Sequence, residues 1–249
     1  MSFIYKSNNN IKAKTYKNIA KEIEDNQYLI SMVPAQEILR LGLELGLNEN
    51  SRVLDLCCGY GTVLKIWSEA FGASGTGVDI CRDFIHTGKK RLKNSGVYTV
   101  NLVRDDVTKY KGSAKYDVVI CSETIGSIEN TFRLGEKFLK KGGILLYQRV
   151  FSYTENVPKE LSEFDGGVYP LTELNKMFND LGYYITNFAT GTENDWNRYY
   201  TWSVRRDIDK LRKKPNNQEL KERIDYWNFM HFKYRMPYEN QALFGLVKL

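Results

Sequence analysis

The chain has 249 residues, 42% of them hydrophobic, enough for one α/β unit with an insertion and too apolar for a disordered segment. Lys and Arg (36) outnumber Asp and Glu (30) for a net charge of +6, but the basic residues, as at Lys12, Lys14, Lys17 and Lys21, are dispersed along solvated faces rather than gathered into a nucleic-acid stripe. No apolar run approaches the roughly 20 residues of a membrane span, the polar Lys6 to Asn10 stretch lacks a signal-peptide core, and the four cysteines form no C-x-x-C pair, so a cytoplasmic protein with no membrane contact and no metal is expected.

Residues 1–12 read as loose, and 16–23 as a short helix. A second helix spans 34–47, with apolar Ile38, Leu39, Leu41 and Leu45, and is stopped by Gly46 and Asn48-Glu49-Asn50. Tyr28 and Met32, just ahead of it, are candidates either to cover a site or to pack on the sheet edge. Short apolar strands at 52–58 and 75–80 bracket a helix at 62–71, a βαβ unit whose ligand belongs at the strands' C-terminal ends. Gly59 and Gly61 occupy the first turn, where missing side chains allow a tight bend and close backbone approach. Asp79 ends the second strand eighteen residues after Gly61, near the spacing that puts a carboxylate on ribose hydroxyls. Position 64 is Leu, so the third glycine of a dinucleotide fingerprint is missing, while Asp55 offers an acid to an ammonium group. S-adenosylmethionine carries such an ammonium and NAD does not.

The segments 101–104 and 116–121, and a fifth entered by the turn Lys140-Lys141-Gly142-Gly143 and ending near Leu146, are strands that a family resemblance implies. Residues 148–168 read as a polar connection carrying Phe151, Tyr153 and Phe164. A helix at 171–181 follows, capped by Gly182, and then a strand at 183–188. The insertion at 195–236 should form two helices, the first with a basic end at Lys210 and Arg212-Lys213-Lys214, the second with Trp227, Met230, His231 and Tyr234 on one face. An apolar strand lies in 238–249.

The order D-x-x-x-G-x-G from Asp55 to Gly61, the acid Asp79, Asp105-Asp106 after the third strand, Tyr116 to Cys121, and Leu139 to Leu146 with Lys141 replacing the usual proline resembles the motif series of class I S-adenosylmethionine-dependent methyltransferases. The resemblance implies a Rossmann-like α/β sheet of seven strands, the last antiparallel, with helices on both faces and an aromatic helical insertion before the last strand. It implies that Asp55 engages the donor's amino group, Gly59 and Gly61 form its turn, Asp79 with Ile80 holds ribose, and Asp105, with Asp106 adjacent, meets adenine, while Cys121 borders the crevice. The segment Thr192 to Tyr199 is similar to the W-D-R-Y segment of an uncharacterised bacterial small-molecule methyltransferase group, its acid replaced by Asn197 or shifted to Asp195. On that basis residues 1–249 form one methyltransferase domain: a helical cover at 1–47, a cofactor-binding core at 48–190, a substrate lid at 195–236 and the final strand at 238–249. Trp196, Arg198, Tyr199, Arg149 and Tyr28 become the substrate-binding candidates.

Methyl transfer is an in-line displacement in which positioning and water exclusion provide much of the acceleration. If the acceptor atom is protonated, His231 or Glu123 is the expected base, with His86 a weaker choice. Cys57, Cys58, Cys81 and Cys121 fall at strand ends, as packing residues or as a soft-metalloid site. The sequence Cys121-Ser122-Glu123-Thr124 lacks the N-P-P-Y pattern of amide and base-amine enzymes, which favours a small-molecule acceptor. RNA or protein methylation is the alternative, as is a noncatalytic S-adenosylmethionine-binding sensor or partner subunit. The oligomeric state is not legible.

Overall fold

The computed structural model describes residues 21–162 and 167–249, so the expected loose start, most of the helix at 16–23, and Phe164 lie outside the described residues. Eight strands form one sheet: β1 Arg52–Leu56, β2 Ser74–Asp79, β3 Val100–Arg104, β4 Tyr116–Cys121, β5 Leu139–Ser152, β6 Tyr169–Pro170, β7 Tyr183–Thr190 and β8 Asn240–Lys248. Their order is β3-β2-β1-β4-β5-β8-β7, with the two-residue β6 added beside β5. The pairs among β1 to β5 are parallel, and β8 runs antiparallel to both β5 and β7. This is the expected sheet, with one short strand more.

The two-residue period of the strands sorts their apolar side chains into two layers. Val53, Val118, Ile120 and Leu146 join one core, while Leu54, Leu56, Val119, Leu145 and Tyr147 join the other. The first layer is closed by α2 (Ala35–Glu44), α3 (Thr62–Phe71) and α4 (Arg82–Asn94), through Ile38, Leu41, Leu64, Trp67, Ile85 and Leu92. Trp67 is fully buried and its indole N–H donates to the Ile38 carbonyl at 2.7 Å, so its polar handle is satisfied. The second layer is closed by α5 (Ile128–Glu136) and α7 (Leu171–Asp180), whose Phe132 and Phe178 pack with Tyr147 and Phe244. Each such side chain contributes roughly 1.5–3 kcal/mol by leaving water.

Three elements bring other segments to the C-terminal edge of the sheet. A helix α1, described over residues 21–27, leads into residues 28–33, which cross that edge before α2. The strand β5 runs on to Ser152, whereas the sequence suggested a polar connection from Gln148; Gln148 and Arg149 are ladder residues, opposite Leu243 and Ala242, whose polar ends serve a cavity. The insertion is α8 (Glu193–Lys213), α9 (Gln218–Met230), a π-helical turn His231–Arg235 and α10 (Met236–Tyr238). Thr192 and Asp195 form a reciprocal capping box that starts α8, and the Asn217 side chain caps α9. Among the described residues no helix is long and apolar enough to cross a membrane.

Candidate functional site

The chain order reverses between β1 and β4, and at that switch point the C-terminal ends of the strands open into a crevice. Left-handed backbone at Gly59 (φ 54°) and Gly61 (φ 68°) turns the chain from β1 into α3. A Cβ on Gly59 would sit 2.9 Å from Ile30 Cδ1, and one on Gly61 would sit 2.7 Å from Leu102 Cδ2, so a side chain at either would displace a neighbour as well as strain the left-handed backbone. Cys57 shares the left-handed conformation (φ 65°), which a non-glycine residue adopts at a cost of about 1–2 kcal/mol. Asp79 stabilises this strained turn. Its carboxylate accepts from the Gly59 N–H and from the Cys81 N–H, both at 2.8 Å, which fixes the ends of β1 and β2 against each other.

A cavity of about 430 Å³ lies over this turn, bordered by Cys57, Gly59, Asp79, Ile80, Phe84 and Asp106, with Ile30 above and Ser122, Glu123 and Gln148 at one end. Among the described residues three carboxylates line it, and no Lys, Arg or His does. Asp106 is held by the Thr108 N–H (2.9 Å) and hydroxyl (2.7 Å), and these bonds keep its carboxyl below the usual range. Burial, with the nearby charges of Asp79, Asp55, Glu123 and Asp106, pushes the Cys57 thiol up to about 12. It is therefore a neutral wall residue and not a nucleophile. A second cavity, about 920 Å³, meets the first at Ser122, Glu123 and Gln148. Its walls include Met32, Arg149, Trp196, Tyr199, Arg235 and Gln241. Arg149 is buried and donates to Thr124 Oγ1 at 3.1 Å and to the Gly167 carbonyl at 2.6 Å. Arg235 is set between the Trp196 and Trp227 rings, 5.6 and 4.8 Å from their centroids, and pairs with Glu239 at 3.3 Å.

Residues 53–143 match the family profile of a methyltransferase domain. Over 168 residues the chain is 30% identical to the uncharacterised protein YjhP of Escherichia coli K12, spanning 64% of this chain and 68% of that protein. The chain belongs to the class I S-adenosylmethionine-dependent methyltransferases. The X-ray structure of YjhP superimposes on this methyltransferase with a TM-score of 0.84 at 23% identity, over 91% of this chain and 97% of that one. A methyltransferase of Geobacter sulfurreducens, crystallised with S-adenosylhomocysteine, does so with 0.82 at 23% identity, over 89% and 94%. Both show the shared fold. The phosphoethanolamine N-methyltransferase of Plasmodium falciparum is 29% identical over 129 residues, 49% of this chain and 47% of that enzyme.

Within this methyltransferase the expected cofactor residues divide. Gly59, Asp79, Ile80 and Asp106 border the smaller cavity, and Ile80 is 68% exposed there. Asp105 does not border it: its carboxylate turns back to accept from the Asp106 N–H at 2.8 Å, so the acid facing the cavity is its neighbour. Asp55 is 1% exposed and does not border the cavity; it stands behind Ser122, whose hydroxyl donates to it at 3.0 Å. Its carboxyl is pushed up to about 7, chiefly by burial and further by the charge of Asp79, against the pull of the Ser122 hydrogen bond. Gly61 supports the turn from below. Cys121 points away, its sulfur 3.9 Å from the Thr131 carbonyl of α5, because strand alternation puts it on the second core face.

Of the expected catalytic residues, Glu123 lies at the junction of the two cavities and His231 does not reach either. His231 is 0% exposed, stacked on Tyr200 at 3.8 Å and 3°, with Nε2 bonded to Asn197 Oδ1 at 3.0 Å. Burial, with the charge of Arg235, lowers it to about 4, so it is a neutral core imidazole between α8 and the π-helical turn. His86 is exposed on α4. Of the residues named for substrate, Trp196, Tyr199 and Arg149 line the larger cavity; Arg198 does not, because it reaches the Asn26 carbonyl at 3.4 Å and braces α8 against the end of α1. Tyr28 borders neither cavity and instead sets its ring edge-on to Tyr60 at 5.3 Å. The sequence reading passed over Ser122 and Gln148 as site residues and missed Arg235 altogether. Gln148 and Arg149 interrupt the apolar run from Ile144 to Phe151, and polar residues inside a strand at the sheet's ligand-binding edge are the signal that finds them.

Proposed function

We propose that this methyltransferase holds S-adenosylmethionine in the smaller cavity and transfers its methyl group to a small molecule held in the larger one. The carrying observation is the charge of the smaller cavity: among the described residues Asp79, Asp106 and Glu123 line it with no cationic side chain, Asp55 stands behind Ser122, and Lys109, which pairs with Asp106 at 3.4 Å, stays outside the lining. That lining suits a nucleoside bearing a sulfonium and an ammonium, and repels the pyrophosphate of a dinucleotide. Asp79 would accept the ribose hydroxyls, Asp106 the adenine amino group, and Asp55 with Ser122 would attract the ammonium, while Ile80 and Phe84 supply apolar wall. When bound, the cofactor supplies an electrophilic methyl carbon.

The acceptor nucleophile belongs at the junction, where Ser122, Glu123 and Gln148 border both cavities. Glu123 can take a proton there from an alcohol or amine. A cavity near 920 Å³ falls in the range of small-molecule sites. It is closed on one side by Trp196 and Tyr199 of α8 and Arg235 of the π-helical turn, which supports reading 195–236 as the acceptor's lid, 48–190 as the cofactor core and 1–47 as its cover. An RNA acceptor is less well supported, since two of the four basic residues at the end of α8 are paired internally, Lys210 with Asp207 at 2.9 Å and Arg212 with Asp209 at 3.3 Å.

The test is calorimetric titration with S-adenosylhomocysteine and with NAD, for the wild type and Asp79→Ala. Selective binding of the sulfur nucleoside, weakened at least about tenfold in the variant by loss of its charged hydrogen-bond acceptor, is expected. No binding by the wild type would overturn the reading, and binding without any turnover of S-adenosylmethionine in the presence of a metabolite extract would favour a sensor.

A further inference from the structure

Three charged residues far apart in sequence meet where α1 faces α3 and α4. Asp25 of α1 is 3% exposed, and Lys65 of α3 and Arg91 of α4 are buried beside it. Lys65 Nζ lies 3.0 Å from its carboxylate, Arg91 Nη2 lies 3.3 Å away, and Lys21 closes the other oxygen at 2.7 Å. Two surplus cations are balanced by Glu69, 3.0 Å from Lys65 and 2.8 Å from Lys21, and by the more exposed Glu24, 3.7 Å from Arg91. Burying charge is costly unless every member is paired, and removing one member of such a group is costlier than replacing the whole of it by apolar side chains. A packing contact alone would not need it.

The cluster leads directly to the cofactor cavity. Arg91 Nη1 donates to Thr62 Oγ1 at 3.0 Å, and that hydroxyl donates to the Tyr28 carbonyl at 2.8 Å. The same guanidinium lies 4.0 Å over the Tyr28 ring, which meets Tyr60, which in turn meets Phe84 of the cavity wall at 4.7 Å. From Tyr28 the chain crosses the site: Ile30 covers Gly59 and borders the smaller cavity, and Met32 borders the larger. The far end is tied by Gln241, whose side-chain oxygen accepts from Ser31 Oγ at 3.0 Å and from the Met32 N–H at 2.9 Å. Residues 28–33 are thus a strap fixed at both ends, with a ligand-bearing turn beneath its middle.

We propose that the Asp25–Lys65–Arg91 cluster is a latch that holds this strap closed over the cofactor, so that Arg91 and Lys65 govern cofactor residence while touching neither cofactor nor acceptor. The proposal rests on the cofactor reading given above. A nucleoside over Gly59 lies under Ile30, so its exchange requires the strap to lift, and lifting it exposes or unpairs the buried charges. Release steps of this kind set the turnover of many enzymes. Arg91 is accordingly a positioning residue: both its nitrogens and its ring contact act on Asp25, Thr62 and Tyr28.

The experiment compares S-adenosylhomocysteine binding by the wild type, Arg91→Met and Arg91→Lys, using calorimetry for affinity and stopped-flow fluorescence for dissociation, with a melting curve for each protein. Arg91→Met should release the ligand about tenfold faster or more, with an association rate changed far less, and Arg91→Lys, which keeps the charge but loses the planar fork, should fall between. An unchanged dissociation rate in a variant that merely melts earlier would overturn the latch. Should Arg91→Met fail to fold, hydrogen exchange of the wild type decides: saturating S-adenosylhomocysteine should slow exchange across residues 25–34, and slowing confined to residues 57–62 would overturn it. If the wild type binds no S-adenosylhomocysteine, the cofactor reading itself falls and the latch with it, a result distinct from binding that is indifferent to Arg91.

Discussion

At the scale of single residues, the site is defined by which side chains keep charge where a cation must bind. Asp55 has the least ordinary environment: burial and the neighbouring Asp79 charge raise it to about 7, well above a free aspartate. An acid raised in the folded state contributes stability that is full below its unfolded value near 4 and is lost as pH climbs through about 7. A cationic ligand reverses the preference, because its ammonium favours the ionised carboxylate. Binding of S-adenosylhomocysteine near pH 6 should therefore release close to about one proton, and above pH 8 almost none. Calorimetry in two buffers of different ionisation enthalpy measures this directly, and identical heats in both at pH 6 would sink the role given to Asp55. Asp55→Asn should abolish the release. Neither the depth of Asp55 nor its shelter behind Ser122 is visible in the motif, because D-x-x-x-G-x-G fixes only the strand and turn. The same holds at Asp105-Asp106, where one peptide's rotation decides which acid faces ligand.

At the scale of elements, the insertion owes its shape to His231. The imidazole stacks on Tyr200 of α8, bonds Asn197 one turn earlier, and meets Trp196 edge-on at 5.4 Å, so it joins the helix that carries the larger cavity's aromatics to the π-helical turn that carries Arg235. A π-helical turn inserts a residue into the helical register, and such turns recur at functional sites. Here it re-aims Arg235 toward the cavity. Substituting His231→Ala should cost about 2–4 kcal/mol of stability through the lost packing and the orphaned Asn197, while S-adenosylhomocysteine affinity and turnover per folded molecule stay close to wild type. Loss of turnover without loss of melting temperature would restore the catalytic role that the sequence suggested. Its pH signature opposes that of Asp55: a base lowered to about 4 contributes stability that is full above its ordinary 6.5 and is lost as pH falls through 4. Helical spacing placed Trp227, Met230, His231 and Tyr234 on one buried face, and buried they are or nearly so; the π-helical turn that ends this face follows no periodicity and was not legible. The strands were legible because parallel, doubly covered strands read as short apolar runs with glycine turns. Where polar residues enter a strand to serve a cavity, as at Gln148 and Arg149, that signal breaks, and β5 was expected to stop six residues too early.

At the scale of the whole molecule, the charge outside and the charge inside have opposite sign. The chain carries +6 overall, yet among the described residues the smaller cavity is lined by three carboxylates and no base. A net positive surface would draw any anionic nucleotide toward the protein, so selectivity must arise in the cavity, where an uncompensated phosphate beside Asp79 and Asp106 is repelled at low effective dielectric. The sheet topology explains how this is done with so few residues. The switch point between β1 and β4 places the ends of β1 to β4 around one crevice, so an acid at or just beyond the ends of β2, β3 and β4, namely Asp79, Asp106 and Glu123, is enough to line a cavity that Ile30 of residues 28–33 also borders. Thermal shift tests the contrast in one experiment. S-adenosylmethionine at about a hundred times its dissociation constant should stabilise by about 2.7 kcal/mol through mass action, which for a chain of this size raises the melting temperature by roughly 5–10 °C. ATP and NAD share the adenosine and differ in charge, so at the same concentration they should leave the melting temperature within about 1 °C, as expected for ligands without preferential affinity for the folded state. A shift by ATP equal to that by S-adenosylmethionine would mean that adenosine recognition alone governs the cavity, and that its three carboxylates serve the fold rather than the ligand.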